Sequence, residues 1–110
     1  MNYGFFKVAC AIPDLRVADC FYNTERMVAM AREAAKQSVQ VICFPELSIT
    51  GYTCGDLFSQ SLLIDKSLDA LKKLLEETAD LDLIILTGMP LRVGGKLLNV
   101  AVICQQGRVK

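Results

Sequence analysis

Residues 41–52 read VICFPELSITGY, an apolar run that stops at a proline and a single carboxylate. The composition of Val39 to Phe44 predicts a strand buried on both faces, and Pro45 ends it because proline donates no backbone hydrogen bond. Glu46 therefore follows directly on the end of a strand. Ligands of open α/β sheets bind outside the carboxyl ends of the strands, so Glu46 is a candidate for chemistry.

Two other apolar runs predict strands on either side of this one. Phe5 to Ile12 is typical of a strand buried on both faces, and Leu83 to Leu86 predicts a third strand. Further on, Leu91 to Val93 and Leu97 to Cys104 flank the pair Gly94-Gly95, which indicates a hairpin with a two-residue turn.

Helical spacing of apolar residues predicts a helix between each pair of these strands. Asn23 is the predicted N-cap of the first helix, which ends near Lys36. The second helix is expected from about Gln60 to Thr78, with Asp69 pairing with Lys73 one turn on. Strand, helix and strand in alternation favour parallel pairing and a layered α/β fold.

Composition excludes several classes of protein. The chain has 110 residues, of which 53% are hydrophobic, and its mean hydropathy is +0.36, so disorder is excluded. Twelve acidic residues balance twelve basic ones, and no basic stripe indicates a nucleic-acid partner. No apolar run reaches the ~20 residues of a membrane span, and the start has no secretory signal, so we expect a cytoplasmic protein without membrane partners.

Histidine is absent from the sequence and cysteine is present five times. A Ser-His-Asp or Cys-His site and a histidine-ligated metal centre are thereby excluded within this chain, which leaves acid–base work to other groups. Cys10, Cys43 and Cys104 are expected to be buried in strands, and Cys20 and Cys54 to lie in loops. An odd number without a CxxC pair predicts no disulfide or metal framework.

The last residues predict a strand that has only begun at Arg108-Val109-Lys110. A sheet that stopped there would leave an unpaired edge, so we expect residues 1–110 to be part of one domain that continues. The pair Gly94-Gly95 fits no phosphate-binding motif.

Several short motifs are spread along the whole chain: Ala9-Cys10-Ala11, Asn23 before a helix, Phe44-Pro45-Glu46-Leu47, Gly51-Tyr52 and Leu98-Asn99-Val100-Ala101. Together they resemble the motifs of the nitrilase, or carbon-nitrogen hydrolase, superfamily. Within it, residues 45–52 followed by Gly55-Asp56-Leu57-Phe58 resemble the glutaminase domains of the glutamine-dependent NAD synthetase branch, although Thr53-Cys54-Gly55 stands where that branch has a proline-rich turn.

The resemblance implies a four-layer α-β-β-α sandwich, of which residues 1–110 would form the incomplete N-terminal part. It also implies that Glu46 is the general base for a cysteine nucleophile, assisted by a lysine, with both partners beyond this chain. A base of this kind at the bottom of an apolar pocket has its pKa raised by desolvation. Tyr52 would line the glutamine pocket, support Glu46 or pack the loop.

The same resemblance implies that the full-length protein hydrolyses glutamine and passes ammonia to the ATP-dependent amidation of deamido-NAD. No cofactor is expected in residues 1–110, whereas ATP and magnesium would bind an absent synthetase domain. The full-length protein is expected to be a homo-oligomer. Two alternatives stay open from the sequence: a stand-alone amidase or carbamoylase of the superfamily, and a noncatalytic module that oligomerises.

Overall fold

Residues 7–51 and 61–110, which the computed structural model describes, form one mixed sheet and two helices. The strands lie in chain order, with β1, β2 and β3 parallel and β3, β4 and β5 antiparallel, which confirms the predicted α/β fold and its parallel strand-helix-strand units. The elements are β1 (Val8–Cys10), α1 (Cys20–Lys36), β2 (Val41–Cys43), α2 (Ser61–Glu77), β3 (Ile84–Val93), β4 (Lys96–Gln105) and β5 (Arg108–Val109).

The first two strands are shorter and less buried than the sequence predicts. Ile42 is buried, but its neighbours Val41 and Cys43 are only half-buried, and Val8 in β1 is 59% exposed. The prediction that both strands are buried on both faces is therefore wrong for the described residues. The reason is that α1 and α2 contribute to one core, on one face of the sheet.

The other face of the sheet is apolar and lacks a covering layer among residues 7–51 and 61–110. The strand register puts a series of side chains on this side, and we call the set the open face. Its members alternate with the buried residues of each strand, as pleated strands require. The open face comprises Val8, Cys10, Val41, Cys43, Ile84, Leu86, Ala101 and Ile103.

β3 is longer than predicted, because it does not end near Gly88 and Pro90 but is continuous with the predicted first strand of the hairpin, up to Val93. The backbone N–H and C=O of Gly88 both form hydrogen bonds with the loop after β2. The even-numbered residues of β3 therefore direct their backbone N–H and C=O groups away from β4. Pro90 is also even-numbered, so its lack of a backbone N–H removes no hydrogen bond between β3 and β4. The predicted hairpin is confirmed, with φ values of 55° and 81° at Gly94 and Gly95 that fit a type I′ turn.

α1 begins at Cys20, not after Asn23 as predicted. Asp19 is the N-cap, since its carboxylate accepts a hydrogen bond of 3.2 Å from the backbone N–H of Tyr22. Asn23 is fully buried one turn into the helix, where its side chain bonds to other segments instead of to the helix end. Asparagine is favoured both at helix caps and at buried positions where its side chain bonds to backbone groups. The sequence alone therefore could not distinguish the two roles of Asn23.

α2 lies close to the predicted bounds. Of the apolar stripe that the sequence predicts on it, Ile64 is buried, while Leu68, Leu71 and Leu75 are half-buried, and the other buried residues of α2 are Leu63, Ser67, Ala70 and Leu74. The predicted Asp69–Lys73 pair is wrong: the Lys73 ammonium is 3.0 Å from the Glu25 carboxylate on α1 and 3.9 Å from that of Glu77. Lys73 thus pairs with Glu25 of the neighbouring helix and with Glu77 one turn on, instead of with Asp69. Neither α1 nor α2 has the length and apolar composition needed to cross a membrane, a finding that covers the described residues alone.

Candidate active site

Glu46 lies at the carboxyl end of β2, where the sequence predicts it. The backbone N–H of Phe44 donates to the C=O of Leu86 at 2.8 Å, which extends the pairing with β3 by one residue before Pro45 ends it. Residues 46–50 then form a turn, which we call the Glu46 turn. The side chain of Glu46 is exposed and faces a groove on the open face.

The groove has a volume of about 430 Å³ and is formed by the end of β2 together with β3 and β4. Glu46 and Asn99 bring polar side chains to walls that are mainly apolar, a composition typical of small-molecule sites. The deep apolar pocket predicted around Glu46 is not formed by residues 7–51 and 61–110, because the carboxylate is exposed there. The apolar walls come from Cys43, Phe44, Pro45, Leu86, Val100, Ala101 and Ile103.

Gly88 allows the Glu46 turn to lie directly on β3. A Cβ atom at position 88 would be 2.4 Å from the backbone nitrogen of Leu47 and 3.2 Å from the Cα of Glu46. The backbone C=O of Gly88 accepts a hydrogen bond of 3.1 Å from the N–H of Ile49. The position of Glu46 over the groove therefore depends on the absence of a side chain at residue 88.

Leu47 has a left-handed backbone conformation, with φ of 53°, which is uncommon for a residue other than glycine. It is held there by its C=O, which accepts a hydrogen bond of 2.8 Å from the backbone N–H of Gly51. Such conformations persist only where the surrounding structure determines them. The sharp bend buries Leu47 while Glu46, one residue earlier, stays exposed to the groove.

Tyr52, the second predicted site residue, lies outside the described residues, as do Cys54 and the segment Asp56-Leu57-Phe58. Its role in the glutamine pocket stays a prediction. Gly88, Ser48 and Thr87 also form part of the site, and none of them was predicted from the sequence. Ser48 and Thr87 could have been recognised as hydroxyl side chains within apolar segments, because buried hydroxyls require hydrogen-bond partners.

The cysteines differ from the prediction in three cases. Cys104 is buried in β4 as expected, but Cys10 is exposed and Cys43 is half-buried on the open face. Cys20 is not in a loop, because it is the first residue of α1 and is 2% exposed. Apolar strand context therefore predicts burial only where a second layer covers that face.

Cys104 is expected to resist alkylation in the folded protein. Burial raises the pKa of its thiol from 9.0 to about 11, and the thiolate is the reactive form. The buried thiol thus favours the folded state below pH 9, and this contribution is lost as the pH rises from 9 to 11. Peptide mass spectrometry after iodoacetamide treatment at pH 8 should find Cys104 modified only in urea; equal modification without urea would contradict the prediction.

Comparison with known proteins assigns this chain to a family. Residues 7–109 match the carbon-nitrogen hydrolase family, so the chain belongs to that family. Among curated relatives, the glutamine-dependent NAD(+) synthetase of Mycobacterium tuberculosis is 34% identical over 108 residues, which cover 98% of this chain and 16% of the relative. That of Acinetobacter baylyi is 38% identical over 71 residues, which cover 64% of this chain and 13% of the relative.

Solved structures agree with the fold. The glutamine-dependent NAD(+) synthetase of Cytophaga hutchinsonii superposes with a TM-score of 0.88 at 26% identity, over 96% of this chain and 18% of that one. An amidase from Nesterenkonia superposes with a TM-score of 0.75 at 19% identity, over 96% of this chain and 40% of that one, a likeness that concerns the fold alone. The predicted nitrilase-type fold is thereby confirmed, and the chain spans less than a fifth of the synthetases it matches.

Proposed function

We propose that this chain is the N-terminal part of the glutaminase domain of a glutamine-dependent NAD synthetase. The observation that carries the proposal is Glu46, held over an apolar groove at the end of β2 in a chain 34% identical to a protein of that name. The open face gives further support, since an α-β-β-α sandwich requires a second sheet against an apolar face of this kind.

In the proposed reaction Glu46 is the general base. Its carboxylate takes the proton of a cysteine thiol, the thiolate attacks the carboxamide carbon of glutamine, and the proton passes to the leaving nitrogen, which departs as ammonia. Water then hydrolyses the thioester, which releases glutamate and regenerates the thiol. The cysteine, and a lysine that stabilises the oxyanion, would come from segments after Lys110. The contribution of the described residues is to present the carboxylate at a fixed position, which proton transfer over hydrogen-bond distance requires.

ATP and magnesium are the groups that the sequence resemblance implies for the full-length protein. Among residues 7–51 and 61–110, no cluster of three or more Asp, Glu, Cys or His side chains could hold a metal ion. Binding of both groups to a separate synthetase domain stays a prediction from the sequence, as do a homo-oligomeric state and a cytoplasmic location.

The test is amide hydrolysis by the native full-length protein that contains this chain. We expect glutamate and ammonia from glutamine, and little product from asparagine or from simple aliphatic amides. Hydrolysis of aliphatic amides without glutamine would favour a stand-alone amidase. A native protein with the 12.1 kDa mass of these residues and no amidase activity would favour the noncatalytic module.

A further inference from the structure

One face of α1 supports the Glu46 turn at two places. Asn23 and Met27 lie one helical turn apart and are both fully buried. Asn23 bonds directly to the Glu46 turn, and Met27 is connected to it through Thr87 of β3. We propose that Asn23, Ser48 and Thr87 are positioning residues that fix the carboxylate of Glu46 for proton abstraction. This inference rests on the proposed function, because it assigns Glu46 the role of base.

Asn23 joins the loops that follow β1 and β2. Its side-chain oxygen accepts a hydrogen bond of 2.7 Å from the backbone N–H of Arg16, and its amide nitrogen donates to the Arg16 C=O at 2.8 Å. The same nitrogen donates to the C=O of Ile49, in the Glu46 turn, at 2.9 Å. Both loops lie at the carboxyl ends of neighbouring parallel strands, so one amide fixes the two segments relative to each other.

Ser48 and Thr87 form a hydrogen-bonded chain from the Glu46 turn to α1. The two hydroxyl oxygens are 2.8 Å apart, the backbone N–H of Gly88 donates to Ser48 Oγ at 3.3 Å, and Thr87 Oγ1 donates to the sulfur of Met27 at 3.6 Å. Since the N–H can only donate and the thioether can only accept, the direction of the chain is determined. Ser48 must donate to Thr87, and each hydroxyl proton is used once.

The matched comparison within α1 is Thr24, which is as buried as Asn23. The hydroxyl of Thr24 has no hydrogen-bond partner in the described parts of the chain. Burial of a hydroxyl on α1 is therefore not enough to support the turn. The supporting residues are those whose polar atoms reach residues 48 and 49.

The test measures kcat and KM for glutamine hydrolysis by the full-length protein. Ser48→Ala and Thr87→Val should each lower kcat about 10²-fold with KM little changed, because misplacing a catalytic group by about 1 Å costs that much. Thr87→Ser keeps the hydroxyl and should restore most of the activity. The controls are Ser67→Ala and Thr78→Val, which delete equally buried hydroxyls bonded to carbonyls of α2, together with Thr24→Val.

The outcomes separate this inference from the proposed function. If Glu46→Gln is inactive while Ser48→Ala and Thr87→Val keep the wild-type kcat, the positioning role is wrong and the function stands. Equal losses of kcat in the Ser67 and Thr78 controls would also overturn it, because the effect would then reflect stability in general. If Glu46→Gln keeps full activity, the proposed function itself is wrong.

Discussion

Replacement of Glu46 by glutamine should lower kcat for glutamine hydrolysis by the full-length protein about 10²- to 10⁴-fold, the usual contribution of a general base. The amide has the shape of the carboxylate but does not take up the thiol proton. Because Glu46 is exposed and its side chain takes no part in the described hydrogen bonds that hold its own turn, the fold should be unaffected. KM should change little if the carboxylate acts on the proton and not on substrate affinity.

Steady-state kinetics of the purified full-length protein measure kcat and KM for the wild type and for Glu46→Gln, with Glu76→Gln as the matched control. Glu76 is exposed on the outer side of α2, and its replacement removes one negative charge in the same way. Wild-type kcat in Glu46→Gln would contradict the assignment of the base. A loss of the same size in Glu76→Gln would mean that charge alone, and not position, controls the rate.

Gly88→Ala should be the most destabilising single substitution in the described part of the site. The new methyl group would be 2.4 Å from the backbone nitrogen of Leu47, well inside contact distance, and the obstacle is backbone that cannot rotate away. Either β3 or the Glu46 turn has to move, and overpacking of this kind costs about 3 kcal/mol or more. Glutamine hydrolysis should fall together with the free energy of unfolding, because the displaced segment carries the base.

Urea unfolding followed by circular dichroism measures the loss, with Gly94→Ala as the control. Apart from Gly94 and its two chain neighbours, no atom of the described residues lies within 4 Å of a Cβ placed on Gly94, so alanine there meets only the cost of a φ of 55°, about 1–2 kcal/mol. The difference between the two variants isolates the clash with Leu47. If Gly88→Ala unfolds at the same urea concentration as Gly94→Ala, the close approach of the Glu46 turn to β3 is not as described.

The order of elements could be predicted from the sequence because it depends on local patterns. Apolar runs, helical spacing and the Gly94-Gly95 pair each carry their own signal within a few residues, and the structure confirms the elements that they predict. The position of Glu46 at the end of β2 could likewise be predicted from a local pattern. Pro45 ends β2 directly after its apolar run, whereas Pro90 lies where the pairing of β3 needs no backbone N–H, and that strand continues.

What the sequence could not provide depends on contacts between distant segments. The role of Asn23 as a buried tether, the partner of Lys73 and the length of β3 beyond Leu86 each depend on which segment lies opposite. Burial of the first strands was overestimated for the same reason, since an apolar run does not say which chain segment covers it. Gly88 is the clearest case, because the nearby backbone of residues 46 and 47 is what leaves no space for a side chain at that position.

The hydrogen bonds of the Glu46 turn also have a consequence for the order of folding. They join residues separated by 26 positions between Asn23 and Ile49, 39 between Ser48 and Thr87, and 60 between Met27 and Thr87. Contacts so distant in sequence form only after the intervening loops have closed, which makes them late events. We therefore expect a nascent chain to fix the position of Glu46, the proposed base, only once Thr87 has left the ribosome and β3 has docked, so partly folded forms should carry the carboxylate without the proposed activity.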